Sequence, residues 1–194
     1  MGGFLTLNEI MLELDSMTTL FPNLISPKFI IGNNQTIEGR DVYAIKISDN
    51  PNTDETATEK EVLYTSLIHA REPASMQQLI WYMWYLLENY ATNDEIKYLV
   101  NNLEMYFIPV VNPDGYEYNY TTNPNGGGMW RKNKRDNNND GTFSESNDGV
   151  DLNRNFGYKW AYDNDGSSPD QAAQTYRGTD AAKTINIFKS GLLI

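Results

Sequence analysis

The sole histidine, His69, stands three residues before Glu72, just past a β-rich run that ends at Ile68 and at the edge of a long apolar helical pattern. Imidazole nitrogen and carboxylate oxygen suit Zn²⁺, and a strand end beside a helix start holds two ligands rigidly while leaving one side open. Taken alone, the pair also fits a surface histidine beside an acidic helix start. A second candidate is Asp136-Asn137-Asn138-Asn139-Asp140-Gly141, whose oxygen-bearing side chains alternate as in calcium loops. Asp136, Asn138 and Asp140 are the candidate calcium ligands there, although Asn147 occupies the twelfth position, where such loops carry a bidentate Glu; the alternative is a solvated Asn-rich loop. The chain has no cysteine, so thiolate metal sites, a Cys nucleophile and a disulfide framework are excluded.

The elements that must position these groups follow from periodicity. Leu7, Ile10, Met11, Leu14 and Met17 recur at helical spacing behind a Thr6 cap with Glu9 three residues on, which predicts an amphipathic helix over 7–20. Val42–Ile47 and Val62–Ile68 read as strands separated by a polar loop. Residues 74–90 carry a wide apolar stripe, which predicts a helix buried on most sides. A short helix over 94–102 precedes Met105–Val111, a nearly continuous apolar run typical of a central strand. Strands alternating with helices predict an α/β fold, and 112–164, Asn-rich with a Gly126-Gly127-Gly128 run, reads as a long loop region kept for function.

Composition narrows the partners. Fifteen Lys and Arg against 26 Asp and Glu give a net charge of −11, which argues against a nucleic-acid or anionic-membrane partner, so basic residues that matter act singly. Arg131 lies in the basic run Arg131–Arg135, which without further context reads as a solvated face. No apolar run reaches membrane-spanning length, and the N-terminus lacks the pattern of a signal peptide, although Met1-Gly2 with Thr6 matches the loose N-myristoylation pattern.

Four segments in order change the weighting: His69-Ala70-Arg71-Glu72-Pro73, Asn112-Pro113-Asp114-Gly115-Tyr116, Met129-Trp130-Arg131-Lys132, and Gly149-Val150-Asp151-Leu152-Asn153-Arg154-Asn155-Phe156. Together they resemble the zinc metallocarboxypeptidases of the carboxypeptidase A and T type, and the likeness runs from about Gly3, through Ile37-Glu38-Gly39-Arg40, to Tyr176-Arg177-Gly178. The resemblance implies a mixed, largely parallel sheet flanked by helices. It implies zinc bound by His69 and Glu72, a scissile carbonyl polarised by Arg131, a terminal carboxylate held by Asn153 and Arg154, and a neighbouring subsite served by Arg71. The implied substrates are peptide or protein C-termini, cleaved by metal-activated water, and the implied setting of the full-length protein is extracellular. Arg154 alternatively pairs with Asp151 in a structural bridge.

A catalytic zinc site needs about three protein ligands, and the chain offers no second histidine. The family's third ligand, its capping tyrosine and its general-base glutamate lie further downstream, and Thr179–Lys183 departs from the stretch expected after the Arg-Gly. The expectation is therefore a partial catalytic domain over 1–194 that turns over peptides poorly or not at all. Alternatives are a pseudo-peptidase that binds C-termini and a zinc peptidase acting on bacterial wall peptides.

Overall fold

The computed structural model describes residues 2–32 and 35–181, so Met1 of the myristoylation pattern and the 182–183 part of the departure after Gly178 lie outside the described residues. Helix α1 (Leu7–Leu20) begins with a complete capping box, in which the Thr6 hydroxyl accepts from the Glu9 N–H while the Glu9 carboxylate accepts from the Thr6 N–H at 2.7 Å. Its buried stripe is Ile10, Leu14 and Met17. Strands β1 (Phe29–Ile30), β2 (Tyr43–Ile47) and β3 (Lys60–Thr65) precede helices α2 (Pro73–Asn89) and α3 (Asp94–Val100), which lead into β4 (Leu103–Ile108).

The sheet has the order β1-β2-β4-β3. It is mixed, as expected, but its parallel share is smaller than expected: β3 and β4 pair in parallel, while β1–β2 and β2–β4 are antiparallel. The reason is connectivity. A parallel neighbour needs a crossover, and α2 with α3 supplies one, between β3 and β4.

Alternation along the strands sorts the core into two layers. Ile45, Ile47, Met105 and Phe107 face α1, α2 and α3, meeting Met76, Ile80, Met83, Leu86 and Val100. Ala44 and Ile108 face the other way, toward Ile31, Val42, Val111 and Leu152. Lys46 and Glu104 lie buried and form an ion pair.

The stretch expected as loop from residue 112 opens instead with helix α4 (Pro113–Thr122). Asn112 caps it by accepting from Gly115 N–H at 3.0 Å, and Pro113 is pre-set for the first turn. Tertiary contacts hold it, because its buried residues include Tyr116, Gly115 and Asn119, which give little apolar periodicity to read. Residues 123–181 are otherwise irregular apart from the 3₁₀ turn Leu152–Arg154.

Candidate metal centre

The centre sits beyond the C-terminal ends of β3 and β4. Ser66 continues the ladder by donating to Ile108 O at 3.1 Å and accepting from Val111 N at 3.1 Å. Leu67 then takes a left-handed backbone with φ of 51°, a conformation that costs a branched residue about 1–2 kcal/mol and is held here by ladder and turn bonds, including Leu67 N–H to Ser75 Oγ at 3.1 Å. This twist ends the strand earlier than expected and turns the chain so that His69, 7% exposed, stands over the sheet edge.

His69 Nδ1 lies 3.1 Å from each oxygen of Glu72, which directly precedes α2. On the other side of the ring, Nε2 lies 3.1 Å from Oδ1 of the fully buried Asp151. Both carboxylates can only accept, so each ring nitrogen faces an acceptor; a metal ion held between Nδ1 and Glu72 would leave the ring proton on Nε2 for the Asp151 bond. The donor set and its hydrogen-bonded imidazole fit zinc, with Asp151 as the outer partner that orients the ring.

Arg131 joins the same cluster. Its Nε and NH2 donate to Asp151 Oδ2 at 3.1 and 3.0 Å, and NH1 reaches Glu72 Oε1 at 3.4 Å. The backbone fixes this approach, since Ala70 N–H donates to Arg131 O at 3.1 Å and the Asn112 amide donates to Lys132 O at 3.1 Å. Arg131 is thus a centre residue and not part of a solvated basic face. Lys132 beside it is buried with its ammonium on Gln171 O at 2.8 Å and 5.4 Å from the Trp130 ring; burial lowers its pKa.

The remaining motif residues divide between site and scaffold. Asn153 is exposed, and its N–H donates to Asp151 Oδ1 at 2.9 Å, which ties the 3₁₀ turn to His69. Arg154 does not pair with Asp151: its Nε donates to Gly166 O and its NH1 to Asn153 O at 3.1 Å, because both Asp151 oxygens are already engaged by His69, Arg131 and the turn. Arg71 NH1 reaches Met129 O at 3.4 Å and Gln174 Oε1 at 3.5 Å, on the rim beside the Arg131 segment. Asp114 is structural, accepting from Arg40 NH1 and Thr36 Oγ1 at 2.8 Å each and from Glu38 N–H at 3.1 Å, which explains the Ile37–Arg40 segment.

In the Asn-rich loop, the oxygens of the calcium reading have donors of their own. Asp136 accepts from Asn139 and Gly141 N–H, Asp140 from Thr142 N–H and the Asn138 amide, and Asn138 from Asp140 N–H. Asp148, buried, closes this loop by accepting from Asn137 and Ser144 N–H.

Asp151 is the residue the motif reading undervalued. The available signal was chemical: a metal-ligating imidazole needs an acceptor for its other ring nitrogen, and Asp151 stands within the Gly149–Phe156 motif.

A mixed sheet carrying a His–carboxylate pair at a strand end, backed by an arginine and a second carboxylate, is the arrangement of an α/β metallohydrolase. The chain belongs to the zinc carboxypeptidase family, whose profile matches residues 10–189. It is 37% identical over 158 residues to a zinc carboxypeptidase of Saccharothrix mutabilis subsp. capreolus, covering 81% of this chain and 33% of that protein. It is 33% identical over 155 residues to the inactive metallocarboxypeptidase ECM14 of Saccharomyces cerevisiae, covering 79% of this chain and 33% of that protein. The crystal structure of thrombin activatable fibrinolysis inhibitor superposes with a TM-score of 0.77 at 28% identity, covering 95% of this chain and 42% of that one. The chain therefore spans about a third of the length of the two curated relatives. Among the described residues, no helix is long and apolar enough to cross a membrane.

Proposed function

We propose that this chain is the N-terminal part of a zinc-dependent carboxypeptidase domain that removes C-terminal residues from peptides or proteins, acting outside the cell in its full-length form. The observation that carries the reading is the convergence of His69 Nδ1 on both Glu72 oxygens at 3.1 Å, with Arg131 NH1 3.4 Å from the same carboxylate. His69 and Glu72 would hold the zinc. When bound, zinc supplies a Lewis acid for the scissile carbonyl and an acidified water with a pKa of about 7.

The chain's own residues then act on the peptide. Arg131, braced by Asp151, presents a fixed guanidinium to the carbonyl oxygen as negative charge develops there. Arg154 and Asn153 receive the terminal carboxylate, a task for which a planar, permanently charged fork is suited. Arg71 serves the adjoining subsite. These 194 residues contain a single histidine and no cysteine, so His69 and Glu72 alone fall short of the three protein ligands of a catalytic zinc. Calcium in the Asp136–Asp140 loop forms no part of this reading, because the loop satisfies its own oxygens.

The test has two arms. Zinc titration and peptidase assays of the 194-residue chain should give weak binding and no ordinary turnover, whereas a longer chain extended through a downstream His and Glu should turn over. Tight stoichiometric zinc with full turnover by the short chain would refute the partial-domain reading. Equal affinity for C-terminally free and amidated peptides would refute the carboxylate clamp.

A further inference from the structure

Residues 156–168 leave the 3₁₀ turn that carries Asn153 and Arg154 and return beside Tyr176. This loop exposes Phe156, Tyr158 and Tyr162, and two of its residues, Lys159 and Ala161, hold left-handed backbones with φ of 51° and 55°. Such conformations cost residues with side chains free energy and persist only where surrounding contacts impose them. Two arginines tie the loop down. Arg154 donates from Nε to Gly166 O. Arg177 donates from NH1 to Asp163 O at 3.1 Å, Asn164 Oδ1 at 2.9 Å and Ser167 Oγ at 3.2 Å, on both sides of Gly166. Its carbonyl accepts from Trp160 Nε1 at 3.0 Å, between the two left-handed residues, and its guanidinium lies 5.9 Å from the Trp160 ring.

Arg177 is itself fixed to the centre. Asp151 N–H donates to Tyr176 O at 2.9 Å, and Arg177 N–H donates to Ser168 O at 3.1 Å. A closed circuit of bonds thus runs from Asp151 through Tyr176 and Arg177 to the Gly166 segment, and back to the 3₁₀ turn through Arg154. Its effect falls on the Arg154 side chain. Gly166 O holds Nε and Asn153 O takes one NH1 hydrogen at 3.1 Å; neither bond uses NH2, so the outer NH1/NH2 edge can still take a bidentate partner.

We propose that Arg177 is the positioning residue for Arg154: by clamping residues 163–167 it holds Gly166 O against Arg154 Nε and fixes the guanidinium with its outer edge presented to a terminal carboxylate. This rests on the carboxylate role of Arg154 proposed above. A freely rotating arginine surrenders rotamer entropy when it binds a carboxylate, whereas one already fixed loses less, so Arg177 adds affinity without touching the ligand. The three acceptors of Arg177 NH1 are neutral oxygens, and these bonds are not ion pairs, so an ammonium with three donors can partly replace the guanidinium.

The experiment uses the full 194-residue chain, freed of metal with chelator. Its first arm follows solvent exchange of the Arg154 Nε proton by NMR, with the resonance assigned by its loss in Arg154→Lys. Arg177→Met should speed that exchange about tenfold or more, whereas Arg177→Lys should stay within about threefold of wild type. The second arm measures binding of N-acetyl-Gly-Gly-Phe with a free carboxylate and of its amide. Arg177→Met should cut the preference for the free acid about tenfold, and the Arg154→Met/Arg177→Met double variant should be no worse than Arg154→Met alone. Zinc affinity, titrated separately, should stay within about threefold of wild type in Arg177→Met, because the lost side chain acts on residues 160–167 and not on His69 or Glu72. Unchanged Arg154 exchange in Arg177→Met, additive losses in the double variant, or a fall in zinc affinity as large as the fall in preference would each overturn the proposal. Equal binding of acid and amide by wild type would instead overturn the carboxylate reading on which it rests, and the two failures are distinguishable because the exchange arm involves no peptide.

Discussion

His69 and Asp151, 82 positions apart in sequence, meet at 3.1 Å between Nε2 and Oδ1, and this contact fixes the orientation of a loop histidine. The same carboxylate anchors Arg131 and starts the 3₁₀ turn that carries Asn153 and Arg154. One buried side chain therefore sets the relative positions of the groups proposed for metal, carbonyl and carboxylate.

Asp151→Asn should lower zinc affinity about 10–100-fold, because an amide keeps the hydrogen-bonding shape but withdraws the negative charge that supports the ring. The control is Asp148→Asn, equally buried and hydrogen-bonded to the loop N–H groups of Asn137 and Ser144, away from His69. Zinc titration of both variants checks the assignment, and equal losses would place the effect in general destabilisation.

Arg131→Met should change zinc affinity in the opposite direction. Its guanidinium lies 3.4 Å from Glu72, so its removal relieves repulsion of an incoming dication and should tighten binding on the order of tenfold. Opposite signs for the two variants, measured by the same titration, would separate a charge effect from structural damage.

Gly149→Ala should be more harmful than Gly141→Ala although both glycines have similar backbones, with φ of 78° and 79°. Each change costs about 1–2 kcal/mol for the left-handed conformation. At Gly149 the added Cβ would also meet Asn133 O at 2.5 Å and Trp130 Cζ2 at 2.6 Å, whereas at Gly141 it meets nothing within 4 Å. Overpacking adds about 1–3 kcal/mol, so urea denaturation should show that difference between the two variants.

What was legible in the sequence was local. Helix α1 could be read because Thr6, Glu9 and the apolar stripe all lie within one element. Helix α4 could not, since its Asn119 side chain exchanges bonds with the Trp130 backbone at 2.8 and 3.0 Å and its Tyr116 hydroxyl reaches Leu5 O, contacts with no periodic signature. His69, Glu72 and Arg131 were found through motif types, but the bond from Asp151 that orients them is long-range.

Tyr116 offers a pH test of the packing behind the centre. Its side chain is fully buried, its hydroxyl donates to Leu5 O at 2.6 Å, and burial, followed by Glu9 and Glu117, pushes its pKa up to about 12. The folded value lies above the unfolded value of about 10, so its contribution to stability is complete below pH 10 and is lost as pH rises through 12. At pH 11 the loss from this group should be about 1.4 kcal/mol. Tyr82, Tyr106 and Tyr118 are also pushed up to about 12, so wild type and Tyr116→Phe should both weaken in alkali. The variant lacks the Leu5 bond and should be less stable at pH 8 by about 0.5–1.5 kcal/mol, but that deficit should shrink or reverse at pH 11. Urea denaturation of both proteins at the two pH values measures it, and a deficit that stays constant would mean that the Tyr116 phenol is not sealed from water beneath α1.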